Sequence, residues 1–464
     1  MKLLKTALVG CSAASVTLAT ADAADLPVKK TAAAVQYVEA CPAFGSGFYK
    51  LPGTDTCIRH FGNMKFNLAF QDARDAWFGP GGAVVQAGAS NTTGWQLSVR
   101  PGWDFRAPTE YGTLRSLIQL RVEQRNGVHE NDDPVLTGNM RTNNLVYRGY
   151  IEWAGFLIGR APSQFEYLDQ DDIVTAIGGD PSTTLTQATY TFNGPAGVKA
   201  TIGLEDSSAW SSGAGAFTDL TTERGGISNG PSRLFDIVAT LSVEQAWGNA
   251  KIAGAVHFTQ TNGDLDSNGV PDTTETGTGW AVLSGVTFNL PMLGPKDQLL
   301  VEATYSDGAV AFSGINGGAE NDFTAFERRG QFLSGLQNFW ITDTYAVNSG
   351  GTWDFENTKA WSILGQMKHY WAPLWRSNLT ASYHKADVPN IGFAATGYGD
   401  TSAWDVALNL IWGESRKTAE IGAEIAYKST SQQVSSPIAA AAAKNSVDID
   451  PSGWAASFFI KRAW

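Results

Sequence analysis

The chain has 464 residues and a formal net charge of −12; it is 17% charged, 43% hydrophobic and 11% aromatic, with 50 Gly, 16 Trp and 3 Cys. Charge is scarce against the roughly 25% of a soluble domain, yet beyond the N-terminal segment no apolar run approaches the roughly 18 residues of a membrane-spanning helix; a helical membrane protein is excluded. The aromatic content excludes disorder, and the net acidity argues against a nucleic-acid partner, because phosphate binding needs a basic face.

Lys2 and Lys5 form a short positive region, residues 6–20 are mildly apolar, and Ala21-Asp22-Ala23 is an A-x-A cleavage site. The sequence predicts a bacterial-type signal peptide, residues 1–23, and export. A rival reading, Leu8-Val9-Gly10-Cys11 as a lipoprotein box, leaves an apolar region about half the usual 7–15 residues. Removal after Ala23 takes Cys11 away and leaves Cys41 and Cys57 in an oxidising compartment. A bridge between them closes a short loop and stabilises by about 3 kcal/mol in the chain-entropy model; the alternative is a pair of buried thiols. Either way the pair is structural, since two cysteines alone make a poor metal site.

From there the apolar pattern has a period of two. Trp95, Leu97, Val99, Pro101, Trp103 and Phe105 alternate with Gln96, Ser98, Arg100, Gly102, Asp104 and Arg106. Trp404, Val406, Leu408, Leu410 and Trp412 share one face, opposite Asp405, Ala407 and Asn409, with Ile411 the exception. Ala419, Ile421, Ala423, Ile425 and Tyr427 oppose Glu420, Glu424 and Lys428; Trp454, Ala456, Phe458, Ile460 and Trp464 oppose Ala455, Ser457, Phe459 and Lys461. Successive strand residues point to opposite faces, so each segment has an apolar and a wet side. A soluble sandwich also alternates, but scatters its aromatic residues over the inward face. Here rings mark both ends of short apolar bands, as with Trp404 and Trp412 or Trp361 and Trp371, which is the signature of two membrane–water interfaces.

Short connections near residues 107–112, 153–155, 193–197, 248–249, 291–296, 372–373 and 413–416 alternate with long polar ones near 72–92, 128–142, 206–231, 261–278, 306–357, 386–400 and 430–452. Short turns on one side and long loops on the other describe an outer-membrane barrel. Candidate strands from Cys57 to Trp464 number 16, an even count that closes an antiparallel barrel. The expected organisation is therefore a lead segment on the periplasmic side, residues 24–55, and an all-β transmembrane antiparallel β-barrel over 56–464. The final strand ends on an aromatic residue, Trp464, which looks like the signal read by outer-membrane insertion machinery; that signal usually ends in Phe.

Several segments resemble the general porins of alphaproteobacteria: Ala24-Asp25-Leu26-Pro27, then residues 35–57 (VQYVEACPAFGSGFYKLPGTDTC), Thr109-Glu110-Tyr111-Gly112-Thr113-Leu114-Arg115, and residues 149–160 (GYIEWAGFLIGR) followed by Ala161-Pro162-Ser163. These words lie in the first 165 residues; the remainder matches in pattern only. The resemblance implies a 16-stranded, homotrimeric diffusion porin of the bacterial outer membrane, with its third loop folded into the lumen, and leaves the solute open.

With the aromatic face towards lipid, the inward face collects Arg59, Lys65, Arg100, Arg106, Arg115, Arg121, Arg125 and Arg148, interrupted by Asp104 and Glu123. A charge facing lipid at mid-membrane costs about 2–4 kcal/mol, which places them inside. The segment 164–184 has no barrel pattern and carries Glu166, Asp169, Asp171, Asp172 and Asp180. Folded inward, it sets an acidic loop against a basic wall, an arrangement that governs ion selectivity and orients dipolar solutes. The bland alternative is ordinary solvated charge on strands and an exposed loop.

Asp264, Asp266, Asn268, Val270, Asp272 and Glu275 fit the spacing of a Ca²⁺ loop, D-x-[DN]-x-[DN]-G-x5-E, with Gly269 at the turn. Pro271 departs from the usual apolar residue, the flanks read as strands, and Asp/Asn-rich turns are common in exposed loops, so a weak structural Ca²⁺ site and a plain loop stand side by side. No cofactor is required by any other motif. The histidines, His60, His129, His257, His369 and His384, are dispersed, without an HExxH or GxSxG arrangement, and the chain is read as no enzyme. The expected function is a water-filled channel for passive diffusion of small hydrophilic solutes and ions, set in outer-membrane lipid and lipopolysaccharide. Two other readings are a substrate-selective, sugar-guiding channel and a surface adhesin; the long insert 306–357, with Phe323, Phe326, Phe332, Phe339 and Trp340, has the length of a lid or docking surface. The sign of ion selectivity stays open, because the basic wall favours anions and the acidic loop cations.

Overall fold

A strand with one oily and one wet face satisfies its backbone in a membrane only if every edge is paired, which closes the sheet on itself. The computed structural model describes residues 39–71, 77–78, 84–85, 93–127, 141–168, 178–210, 214–217, 227–228, 234–263, 273–315, 341–349, 352–414, 416–436 and 452–464. Sixteen of its strands form the barrel: β1 (Cys57–Gln71), β2 (Thr93–Thr109), β3 (Gly112–Gly127), β4 (Arg141–Trp153), β5 (Phe156–Pro162), β6 (Thr184–Asn193), β7 (Val198–Asp206), β8 (Phe235–Gln245), β9 (Gly248–Gly263), β10 (Thr273–Asn289), β11 (Gln298–Asp307), β12 (Lys359–Ala372), β13 (Trp375–Asp387), β14 (Tyr398–Trp412), β15 (Glu420–Val434) and β16 (Ser452–Ala463). Each pairs antiparallel with its sequence neighbours, and β1 closes on β16 from Asn63↔Ala463 to Gln71↔Ala455. The terminal residue belongs to the ladder: Trp464 exchanges backbone hydrogen bonds with Gly62. The expected count of 16 and its closure hold.

The expected faces hold too. In β14, Trp404, Leu408 and Leu410 are 43–48% exposed, whereas Asp405, Ala407, Asn409 and Ile411 are at most 3% exposed. The first group meets lipid and the second the interior, Ile411 included. Aromatic pairs line the outer surface across neighbouring strands, as Trp361 with Tyr383 and Trp404 with Tyr427.

On one rim the connections are short. Between Trp153 and Phe156 only Ala154 and Gly155 intervene, both at positive φ (51° and 90°), the two-residue turn whose twist matches antiparallel strands. The turn expected at 248–249 falls instead on Ala246 and Trp247, since Gly248 already pairs with Gln245. On the other rim the loops are long, except that β9 and β10 run on to Gly263 and from Thr273, paired throughout; the connection expected over 261–278 is shorter by the residues these strands take up. We label the loop after β5 (163–183) L3, that after β7 (207–234) L4, that after β11 (308–358) L6 and that after β13 (388–397) L7. L4 and L6 share a small sheet in which Ala214–Phe217 lies parallel to Thr344–Ser349, flanked by Ile227–Ser228 and Thr352–Asn357. L7 holds a seven-residue helix, α1 (Asn390–Thr396).

At the short-turn rim, Cys41 and Cys57 form the disulfide, with Cα atoms 6.3 Å apart. Tyr49 and Lys50 pair with Ile58 and Cys57, and Cys41 N–H donates to the Phe48 carbonyl. The closed loop turns Phe48 inward, where it is buried. The signal segment expected over 1–23 lies outside the described residues.

Candidate functional site

The interior begins with the arginines. β1 to β4 set Arg59 opposite Asp104, Arg106 opposite Arg115 and Arg115 opposite Glu152. Asp104, fully buried, gathers three of them: Arg106 Nη2 at 2.8 Å, Arg115 Nε at 3.0 Å and Arg59 Nη2 at 3.3 Å. Arg115 Nη1 also donates to Glu152 at 2.7 Å. Charge-assisted bonds of this kind fix position as well as charge. Phe48 from the disulfide loop sits against the Arg59 and Arg106 guanidiniums, 4.9 and 4.7 Å from its ring centre.

Further towards the long-loop rim, Arg100, Arg121 and Arg148 surround Tyr147, with guanidinium carbons 4.7, 5.4 and 5.2 Å from the ring centre. The pairing of β3 with β4 explains this. Gln119 pairs with Arg148 and Leu120 with Val146, leaving Tyr147 as the extra residue of a β-bulge, a device that re-aims a side chain. Arg121 Nε lies 3.6 Å from Glu123, which accepts a hydrogen bond from Ser98 Oγ. Lys65 stands 4.7 Å from the Phe459 ring centre across the β1–β16 seam. Arg125 has its backbone in β3 opposite Gln96; its side chain lies outside the described residues.

L3 folds inward, fastened to interior faces of distant strands. At its root, Glu205 of β7 accepts from Ser163 Oγ (2.7 Å), Gln164 N–H (2.7 Å) and Trp210 Nε1 (3.1 Å). Tyr167 O–H reaches Asn249 Oδ1 at 2.7 Å and lies 2.8 Å from Thr287 Oγ1. Burial raises this phenol above its ordinary value, which keeps it a donor. Lys251 Nζ donates to the Glu166 carbonyl at 2.7 Å. At the returning end, Gly178 N–H donates to Asp405 of β14 and Ser362 Oγ of β12 to the Gly179 carbonyl. Of the loop acids, Glu166 and Asp180 are described, and both interact electrostatically with buried Glu302 of β11. Asp169, Asp171 and Asp172 lie outside the described residues.

Residues the sequence reading did not single out hold this loop down. The start of L6, Val310–Ser313, is wholly buried. Its Phe312 stacks on Trp210 of L4 (4.2 Å between ring centres) and meets Phe165 of L3 edge-on at 4.9 Å. Gly314 comes so close to L3 that a Cβ there would stand 2.3 Å from Asp180 N; only glycine permits the approach, and its φ of 66° suits it. Buried His257 of β9 lies 2.7 Å from Asp236 of β8 and 3.6 Å from Asp343 of L6, and Asp343 accepts the Val310 N–H. In the same loop cluster, Tyr345 packs under Gly392 of α1, and burial pushes its phenol up to about 12. The apolar run Val310-Ala311-Phe312 inside a polar connection was the available signal. Of the insert's aromatic residues, Phe323, Phe326, Phe332, Phe339 and Trp340 lie outside the described residues.

The calcium-loop residues Asp264, Asp266, Asn268, Val270 and Asp272 also lie outside the described residues. Glu275 has its backbone in β10 opposite Thr261, and its side chain is not among those described. Among the described residues no group of three or more His, Cys, Asp or Glu is placed to hold a metal ion. His60 stacks on Trp103 at the outer surface, while His369 binds Asp297 at the short-turn rim; His129 is not described.

This architecture agrees with what related proteins show. The family model described as Porin subfamily matches residues 25–441. Porin Omp2a of Brucella melitensis biotype 1 is 30% identical over 337 residues, spanning 66% of this chain and 85% of the relative. Porin Omp2b of Brucella suis biovar 1 is 29% identical over 313 residues, spanning 61% and 80%. The outer membrane channel DcaP of Acinetobacter baumannii shares the fold at a TM-score of 0.56 and 14% identity, over 88% of this chain and 97% of that one. A closed barrel of 16 strands with charge inside and aromatic residues outside, matched over most of its length by that family model, places the chain in the porin subfamily, as a general channel of the bacterial outer membrane and not an enzyme.

Proposed function

We propose that the channel passes small hydrophilic solutes and ions down their gradients, with a preference for anions set by the wall of β1 to β4. The supporting observation is the separation of charge inside the barrel. Arg59, Lys65, Arg100, Arg106, Arg115, Arg121 and Arg148 outnumber Asp104, Glu123 and Glu152 on one side. L3 is fastened to the opposite strands by Tyr167, Gly178 and Gly179. Of the carboxylates beneath it, Glu205 fastens its root, and Glu205 and Glu302 are both fully buried, so neither offers a lumen surface. Fixed charge at a narrow passage selects ions by sign. The aromatic residues of L3, L4 and L6 that are described are spent in packing, which favours diffusion over a sugar-guiding track. The assembly proposed is the homotrimer implied by the family resemblance, tested by crosslinking in detergent, where a limit at three subunits is expected and a limit at one would oppose it.

Reversal potentials across planar bilayers under a salt gradient test the selectivity. The wild type should favour chloride, and neutralising Arg100, Arg115 and Arg121 to Gln should shift the reversal towards zero. An unchanged potential would remove the basic wall as its source.

A further inference from the structure

Charge on the basic wall is compensated unevenly. Around Asp104, the guanidiniums of Arg59, Arg106 and Arg115 share both carboxylate oxygens, and Glu152 takes one more donor of Arg115. Around Tyr147, the carboxylate paired with the cluster among the described residues is Glu123, which lies beside Arg121 and accepts from Ser98 Oγ. Arg100 and Arg148 make no ion pair among the described residues, and the Nε atom of each is buried without a hydrogen-bond acceptor. Buried donors left unmatched are rare and costly in a folded protein.

The backbone forces this concentration of positive charge. The bulge turns Tyr147 to the same side as Arg148, and Arg100 and Arg121 meet the same ring from β2 and β3. The guanidinium carbons lie 4.7, 5.4 and 5.2 Å from that ring centre, so three positive groups gather on one phenol. Ring contacts soften the repulsion between them but supply no acceptor for the unmatched N–H groups.

We infer that Arg100, Arg121 and Arg148, arrayed on Tyr147, form a binding site for a compact oxyanion, a carboxylate or phosphate group carried by a solute in transit. The planar fork of arginine matches two oxygens of either group, which chloride cannot offer. In a channel such a site must hold its ligand briefly, strongly enough to favour entry and weakly enough to release it. The inference rests on the porin reading and on the basic wall lining the lumen, and adds a point of residence within it.

Inorganic phosphate is the probe, titrated at constant ionic strength against the chloride current of the full chain in planar bilayers. Phosphate should reduce the wild-type current in a saturable manner. Half-block should need at least about tenfold more phosphate in the double variant Arg100→Gln/Arg148→Gln, which removes two guanidinium forks. The double variant Arg100→Lys/Arg148→Lys keeps the charge and loses the forks. It should retain the sign of the reversal potential and lose most of the block. Half-block at the wild-type phosphate concentration in either the Gln or the Lys variant would overturn the site and leave only a diffuse positive potential. A wild type that conducts without phosphate block would overturn the site and leave the channel standing; a wild type without current would count against the porin reading itself. If neither variant inserts, titration calorimetry of phosphate into the detergent-solubilised wild type decides, with saturable heat expected and none contradicting the site.

Discussion

Asp405 and Gly178 stand 227 positions apart in sequence and are joined by a 3.0 Å hydrogen bond from the Gly178 N–H to Asp405 Oδ2. The other oxygen of Asp405 pairs with Lys428 Nζ at 3.1 Å, with both side chains 1% exposed. One carboxylate thus ties the returning end of L3 to β14 and offsets a buried ammonium from β15. Asp405→Asn should lower barrel stability by about 3–5 kcal/mol, because it removes the buried carboxylate charge that faces the Lys428 ammonium. In Asp405→Leu/Lys428→Met most of that loss should be recovered, since both charges of the pair leave together, while the L3 tie stays broken. Urea unfolding in micelles reads the first effect and single-channel current noise the second. Equal noise in the double variant and the wild type would show that the tie does not restrain the loop.

Phe312 joins L6 to L3 through Phe165 and to L4 through Trp210. Truncation to Ala should cost about 3–5 kcal/mol, as in other aromatic-to-Ala core changes. The same variant should show a higher single-channel conductance, because the L6 segment that presses on L3 loses its anchor. A stable Phe312→Ala protein with wild-type conductance would contradict both expectations.

The Cys41–Cys57 bridge holds the loop that presents Phe48 to Arg59 and Arg106. Reduction, or Cys41→Ser/Cys57→Ser, should remove about 3 kcal/mol in the chain-entropy model. It should also open residues 42–56 to protease while the sixteen strands persist by circular dichroism. Protease resistance unaffected by reduction would mean that the loop is held by its strand pairing and aromatic contacts alone.

On the outer face, Leu408 lies between Trp404 and Trp412 in the middle of β14. Leu408→Arg should destabilise the barrel in lipid by about 2–4 kcal/mol, whereas Leu408→Ile should stay under about 1.5 kcal/mol. Comparable unfolding curves for the two would place Leu408 away from hydrocarbon.

The barrel was legible because each strand meets the lipid boundary by itself, so Trp404 through Trp412 or Trp454 through Trp464 declare their faces without knowledge of partners. The arginine wall was legible for the same reason. Its internal bookkeeping was not: Asp104 and Glu123 read as interruptions of a basic run, and they are its ion-pair partners. Tyr147 escaped notice because a bulge belongs to the pairing of two strands and leaves no periodic mark on one. The fastenings of L3 were equally hidden, since Glu205, Ser362 and Asp405 meet it from 41, 183 and 227 positions away. The ends of β9 and β10 were placed short because Gln260, Thr261 and Asn262 carry no apolar face, although the ladder continues past the lipid band.

The most direct test of the whole account is a nitroxide scan of β14, one cysteine at a time from Trp404→Cys to Trp412→Cys, in the lipid-reconstituted protein. Collision with dissolved oxygen, which concentrates in hydrocarbon, should peak at positions 404, 406, 408, 410 and 412 and fall at 405, 407, 409 and 411. A helical repeat, or maxima at the odd positions, would contradict a barrel that turns its tryptophans to lipid and its charges to the lumen.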